Sequence, residues 1–301
     1  MKSTKYLLML SIPVIILFSI GLIIWLEYST TVDKDKAAYT IGFVTKEVAV
    51  KKILDGSYDA DLKYLCDYAS LSNIVYENEK GANTVNFESW AKLDIAPRFY
   101  KNPQKKNLSG LYYEVWMKKR TNNKDLVSIV FKGTSSKNDW DTNFRWFRRL
   151  FTKKVFDYYD QLNVIADSII SDINTQVNGN AIELTSTGHS LGGGMAQFMA
   201  YRIEQIKKVY AFNSSPVTGY YDIEDKDALD PNKSGCKIYR IYESGEALTY
   251  VRKFFTILYP APLLKTKNPA IIRVRFSFVV GKDLIYQHGI KLFLKNLKKY
   301  K

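Results

Sequence analysis

A chain of 301 residues with 46% apolar and 14% aromatic side chains can bury a sizeable core, so bulk disorder is excluded. Lys and Arg total 44 against 30 Asp and Glu, a formal charge of +14. Two cysteines exclude a disulfide framework and a Cys-rich metal cluster, and two histidines, His189 and His288, leave almost no room for a His-based zinc site.

Residues Leu7 to Leu26 run for 20 positions without a charged side chain. As a helix rising about 1.5 Å per residue this stretch is about 30 Å long, the thickness of a bilayer's hydrocarbon core. It exceeds the apolar region of a cleaved signal, about 7–15 residues, and Glu27-Tyr28-Ser29 offers no small-residue cleavage pattern. An uncleaved single-pass anchor is expected, and Lys2 and Lys5 lean the N-terminus toward the cytoplasm and the body outside. The chain then divides into a tip and anchor (1–26), a juxtamembrane stalk with short strand or helix pieces (27–60) and a folded body (61–301).

Within the body, Leu62, Leu65, Cys66, Ala69, Ile74 and Val75 recur at mostly helical spacing and predict a helix over Asp61 to Tyr76. Leu111 to Lys118 and Leu126 to Phe131 read as two strands joined by the hairpin residues Thr121-Asn122-Asn123-Lys124. A helical period returns from Val155 to Ile173. Next come a strand (Ala181 to Thr187), a helix (Leu191 to Ile206) and a strand (Lys208 to Phe212). Further strands are expected at Lys237 to Tyr242 and Ile271 to Val279, and an amphipathic helix over Gly289 to Tyr300 buries Ile290, Phe293, Leu294 and Leu297. Strand–helix alternation predicts an α/β fold with a parallel or mixed sheet covered on both faces. Cys66 and Cys236 are expected as two partly buried thiols, with pairing open only outside the reducing cytoplasm.

Gly188-His189-Ser190-Leu191-Gly192 fits G-x-S-x-G where that motif has meaning, between a buried strand and a helix. A plain glycine-rich turn would explain the glycines alone; the preceding strand and the run Gly192-Gly193-Gly194 favour a nucleophile at Ser190. At a helix N-terminus, unpaired N–H groups stabilise a developing anion. A serine hydroxyl needs a base. His189 neighbours Ser190 on the turn and points away from the hydroxyl, which leaves His288 as the base by elimination.

The chain here resembles the class 3 (fungal-type) lipases of the α/β-hydrolase fold. The likeness is carried by Val130-Phe131-Lys132-Gly133-Thr134, by Asp139-Trp140 and Asn143, and by Leu184 to Gly193 with its Gly-His-Ser-Leu-Gly-Gly core. It continues through Phe212 to Gly219 and ends at His288-Gly289, so that it covers about Asp61 to Tyr300. The resemblance implies a Ser-His-acid triad, with the acid after the strand that follows Phe212 to Gly219. Glu246 in Gly245-Glu246-Ala247-Leu248 fits that setting best, with Glu243 as the fallback; Asp222, Asp225, Asp227 and Asp230 read as loop solvation. It further assigns an oxyanion hole to Thr134 and to the backbone N–H of Leu191. Asn143 stands where the family usually has an Asp to support the oxyanion hydroxyl. Other departures are Lys132 in place of Arg and Asn213-Ser214 in place of Gly-Ser.

Class 3 lipases carry a mobile lid where this chain has Phe144-Arg145-Trp146-Phe147-Arg148-Arg149, followed by Leu150 to Lys154. Interleaved rings and basic groups suit a lipid interface. An ordinary amphipathic helix with its aromatics in the core is the other reading, and the N-terminal span argues against nucleic acid. Together these residues predict a membrane-anchored serine hydrolase of lipid carboxyl esters, a triacylglycerol lipase or phospholipase. Neither a cofactor nor a metal is expected, and the partners are the lipid substrate and the bilayer. The same residues also suit a catalytically silent membrane scaffold of this fold, or an acyltransferase using the same acyl-enzyme.

Overall fold

The computed structural model describes residues 38–44, 47–78, 87, 90–96, 111–121, 123–133, 158–216, 218–219, 235–249, 252, 269–278 and 283–301. In chain order the elements are β1 (Ala38–Val44), α1 (Glu47–Leu54), a 3-10 turn (Ala60–Tyr64), α2 (Leu65–Asn78), β2 (Trp90–Lys92), β3 (Tyr113–Lys118) and β4 (Asp125–Phe131). After them come α3 (Tyr158–Val177), β5 (Ile182–His189), α4 (Leu191–Arg202), β6 (Ile206–Phe212), β7 (Lys237–Glu243) and β8 (Ala270–Phe276). The short α5 (Leu284–His288), α6 (Ile290–Leu297) and a 3-10 turn (Lys298–Tyr300) complete them. The expected anchor, residues 7–26, lies outside the described residues. Among the described residues no helix is long and apolar enough to cross a membrane.

Among the described residues, eight strands form one sheet in the order β1-β8-β7-β6-β5-β4-β3-β2. β2, β3 and β4 pair antiparallel, whereas β4 through β8 and β1 are parallel throughout. Burial on both faces explains why the strands read as nearly continuous apolar runs. In β4, Val127, Ile129 and Phe131 join the core beneath α3 and α4, while Leu126 and Val130 join the core beneath α1, α2 and α6. Cys66 and Cys236 are buried in different cores, one on each face of the sheet, and are not bonded to each other.

The structure departs from the expected elements at three places. The helix after Ser190 stops at Arg202 instead of reaching Ile206. Ile203 is already extended (φ −112°, ψ 118°), and Ile206 pairs with Leu184 as the first residue of β6. An additional short helix, α5, precedes the expected last helix, and the extended backbone of Gly289 separates it from α6. Finally, the stretch expected as a stalk (27–60) contributes β1, which covers the edge of β8, and α1, whose Val50 and Ile53 are buried in the second core. The fold therefore begins before residue 61.

The buried carboxylate of Glu114 is matched to several partners in this scaffold. Glu114 is 1% exposed, and its carboxylate accepts from Asn78, Lys92, Tyr112 and the indole of Trp116. Breaking one partner of such a buried cluster costs far more than the cluster adds, so it fixes the position of β3 against α2.

Candidate active site

All parallel strands point their C-terminal ends toward one rim, and the candidate residues gather there. β5 ends at His189, and Ser190 follows with φ 57° and ψ −124°, a backbone conformation that side-chain-bearing residues rarely adopt. The turn is held from several sides. Ser190 N donates to Phe212 O at 3.0 Å, and Ser190 O accepts from the amides of Gly193 (3.1 Å), Gly194 (3.3 Å) and Ser215 (2.9 Å).

Close approach fixes the flanking glycines. A Cβ on Gly188 would collide with the carbonyl of Gly192, and a Cβ on Gly192 would collide with Phe131 O. Ser190 also occupies the N-cap of α4 without using its side chain as a cap. A serine at this position ordinarily spends its hydroxyl on the helix; here the hydroxyl is left for other chemistry.

The carboxylate that reaches His288 is Glu246. Its Oε2 lies 2.5 Å from His288 Nδ1 and accepts from Leu248 N at 2.9 Å, while its Oε1 is clamped by Arg252. Arg252 also donates to Ser214 O at 2.9 Å and stacks over the Tyr242 ring at 4.3 Å. Glu246 is fully buried, and burial taken alone raises a carboxyl pKa. The Arg252 charge and the hydrogen bonds from His288 and Leu248 outweigh it and bring the carboxyl down to about 2. Glu243, the fallback, is also buried, but its Oε1 accepts from Phe278 N at 2.8 Å.

His189 lies beneath His288, with ring centroids 4.7 Å apart. Its Nε2 is 2.7 Å from His288 O and its Nδ1 is 3.1 Å from the Tyr76 hydroxyl. Burial, reinforced by the neighbouring His288 charge, pushes its pKa down to about 3. It is thus a neutral ring locked into the scaffold. Leu191 opens α4 and is buried, and Gly133, at the end of the strand edge before Thr134, abuts it: a Cβ on Gly133 would lie 3.2 Å from Gly192 N. Thr134, Asn143 and the lid-like segment Phe144, Arg145, Trp146, Phe147, Arg148 and Arg149 lie outside the described residues.

Sequence reasoning missed Arg252 and the place of His189. Nothing in spacing marks Arg252, because only the turn through Ala247 and Leu248 brings it back to Glu246. For His189 a signal existed: it is one of two histidines, and it adjoins Ser190. Among the described residues no group of three His, Cys, Asp or Glu side chains could hold a metal ion.

The two depressed pKa values set a pH dependence. Glu246 gives stability that is present above the unfolded carboxyl value of 4.5 and is lost as pH falls toward about 2. His189 must stay neutral, so its contribution is full above 6.5 and is lost as pH falls through about 3. Urea midpoints are expected to be flat between pH 7 and 8 and to fall steadily from pH 6 to pH 3.5. His189→Gln should flatten the upper part of that fall, and an unchanged slope in this variant would contradict the assignment.

Chemically, a serine on a strained turn at a helix N-terminus, together with a histidine held by a buried carboxylate, supplies the kinds of group that acyl transfer requires. Residues 67–266, more than half of the chain, match the family model described as "Phospholipase-like: Tle-like phospholipase domain". No curated protein matches the chain. Among solved structures the chain is similar to the M37 lipase (15% identity, 86% of this chain and 81% of that one, TM-score 0.39). It is similar also to an esterase of Pyrobaculum calidifontis (11% identity, 77% and 91%, TM-score 0.35). A ferulic acid esterase is 14% identical at a TM-score of 0.26; the alignment takes in 44% of this chain and only 59% of that one. Likenesses this distant say nothing of the reaction.

Proposed function

Because the chain belongs to the Tle-like phospholipase domain family and is a carboxylic-ester hydrolase, we propose that Ser190, His288 and Glu246 form its triad and that membrane phospholipid is its substrate. The observation that carries this reading is the buried Glu246–His288 pair, set against the residue that precedes Ser190. With Nδ1 facing the carboxylate, Nε2 is the ring nitrogen that takes the Ser190 proton and returns it to the leaving alcohol. Ser190 Oγ attacks the ester carbonyl, the alcohol departs as lysophospholipid, and water releases the fatty acid.

The N–H of Leu191, with Thr134 after the Gly133 strand end, holds the oxyanion; each such donor is worth about 10²–10³ in rate. The Gly-His-Ser-Leu-Gly-Gly and Gly-Thr blocks keep the resemblance to class 3 lipases within this reading. Residues 7–26 anchor the chain in a bilayer with the body on the extracytoplasmic side, and the basic aromatic segment 144–149 contacts lipid. Support for a lipid surface also comes from Leu284, Ile285 and Tyr286, three consecutive apolar side chains that are about half exposed just before His288.

The test is product analysis on vesicles of phosphatidylglycerol or phosphatidylethanolamine, beside emulsified triacylglycerol. Equimolar fatty acid and lysophospholipid are expected. Release of a phosphorylated head group, or turnover of the glyceride alone, would overturn the phospholipid assignment.

A further inference from the structure

Three hydrogen bonds run without a break from the oxyanion side of the site to the main chain of the base, where a fourth meets them. Gly133 N donates to the Tyr76 hydroxyl at 3.0 Å, and that hydroxyl lies 3.1 Å from His189 Nδ1. His189 Nε2 lies 2.7 Å from His288 O, which also accepts from Asn213 Nδ2 at 3.0 Å. Asn213 is itself fixed: its Oδ1 accepts from Glu243 N and its own amide donates to Ile241 O, both at 2.8 Å.

Proton positions follow from the partners. A carbonyl only accepts, so His189 Nε2 carries the hydrogen; the ring is neutral, so Nδ1 is bare and accepts from Tyr76 O–H. The missing side chain of Gly133 makes room for this chain, since a Cβ there would sit 2.5 Å from the Tyr76 hydroxyl.

We propose that His189 is a positioning residue for the His288 base, and that Tyr76, by donating to Nδ1, supports the tautomer that lets it act. His189 touches no substrate. It holds the His288 carbonyl, together with Asn213, and so keeps the imidazole seated against Glu246. Tyr76 ties that hold to the end of β4, which leads into Thr134. If Nδ1 carried the hydrogen instead, two lone pairs would face each other across 2.7 Å and the His288 main chain would shift. Rings buried only for packing would not need this tautomer.

The inference rests on reading Ser190 and His288 as nucleophile and base, so the experiment has one arm with turnover and one without. The full chain in detergent micelles, labelled with ¹⁵N-histidine, contains just two imidazoles to resolve. The wild type is expected to show His189 as the Nε2–H tautomer from pH 5 to 8, and a far-downfield Nδ1 proton from His288 against Glu246. Tyr76→Phe should shift the His189 tautomer, and His189→Phe should broaden or remove the His288 proton.

In the second arm, on a soluble short-chain ester, Tyr76→Phe and His189→Phe should each lower kcat by about 10²-fold with KM unchanged, the scale of a reacting group misplaced by about 1 Å. The double variant should be no slower than the slower single one, and His189→Gln, whose carboxamide can still donate, should recover most of the loss. An Nδ1–H tautomer in the wild type, or a His288 proton unmoved in folded His189→Phe, overturns the proposal whatever the turnover. So do rate losses that multiply. A wild type with the expected spectrum and no turnover on any ester overturns the hydrolase reading and leaves the hold on His288 standing.

Discussion

Ser190→Ala is expected to lose all labelling by a fluorophosphonate probe and to lower ester turnover by about 10⁶-fold, the scale seen when a triad nucleophile is removed. The substitution deletes one oxygen from a side chain that does not cap α4, so the elbow and its hydrogen bonds to Phe212 and Ser215 stay in place. Circular dichroism and urea midpoints should therefore match the wild type, which separates lost chemistry from lost folding. His288→Ala should lose labelling as well, because the probe reads activation of the hydroxyl and not its mere presence. Combining the two should add little further loss, since nucleophile and base act as one unit. Labelling that persists in Ser190→Ala would place the reactive serine elsewhere.

The second large effect is expected at the acid. Glu246→Gln should lower kcat by about 10⁴-fold, the scale of holding a triad histidine in the wrong tautomer. A carboxamide keeps the shape but withdraws the charge, and it leaves Arg252 facing a neutral group in a buried place. A loss of stability is therefore expected alongside the loss of rate. Glu243→Gln makes the control: its carbonyl can still accept from Phe278 N, so neither stability nor kcat should move far. Equal kcat losses in both variants would show that neither carboxylate alone orients His288.

Much of this site was legible in the sequence because it rests on close packing of backbone. Gly188 and Gly192 are forced by contact with strand β4 and with each other, and a motif made of forced glycines survives as a pattern. The burial of β4 and β6 on both faces reads as apolar runs for a related reason. What stayed hidden depends on how the chain returns on itself. Glu243 and Glu246 both follow an apolar strand, and they differ only in that Glu243 still pairs with Phe276 in β7. Glu246 lies beyond Gly245, whose φ of 78° redirects the chain toward His288. At five residues α5 is too short to show a helical period, and β1 is drawn from a stretch whose surroundings are polar. His189 is marked by its place beside Ser190, but the meeting of its ring with the His288 carbonyl depends on the same return of the chain.

β1 runs parallel to β8, so Ala38 begins at the rim opposite the one where Ser190, Glu246 and His288 gather. A seven-residue strand is about 23 Å long, and any chain arriving at Ala38 is delivered to the far pole of the molecule. An enzyme moored through that pole presents its mouth away from its own mooring. Moored through residues 7–26 as proposed, it would meet a surface brought up against it, or lipid handed across a gap, more readily than the bilayer at its root.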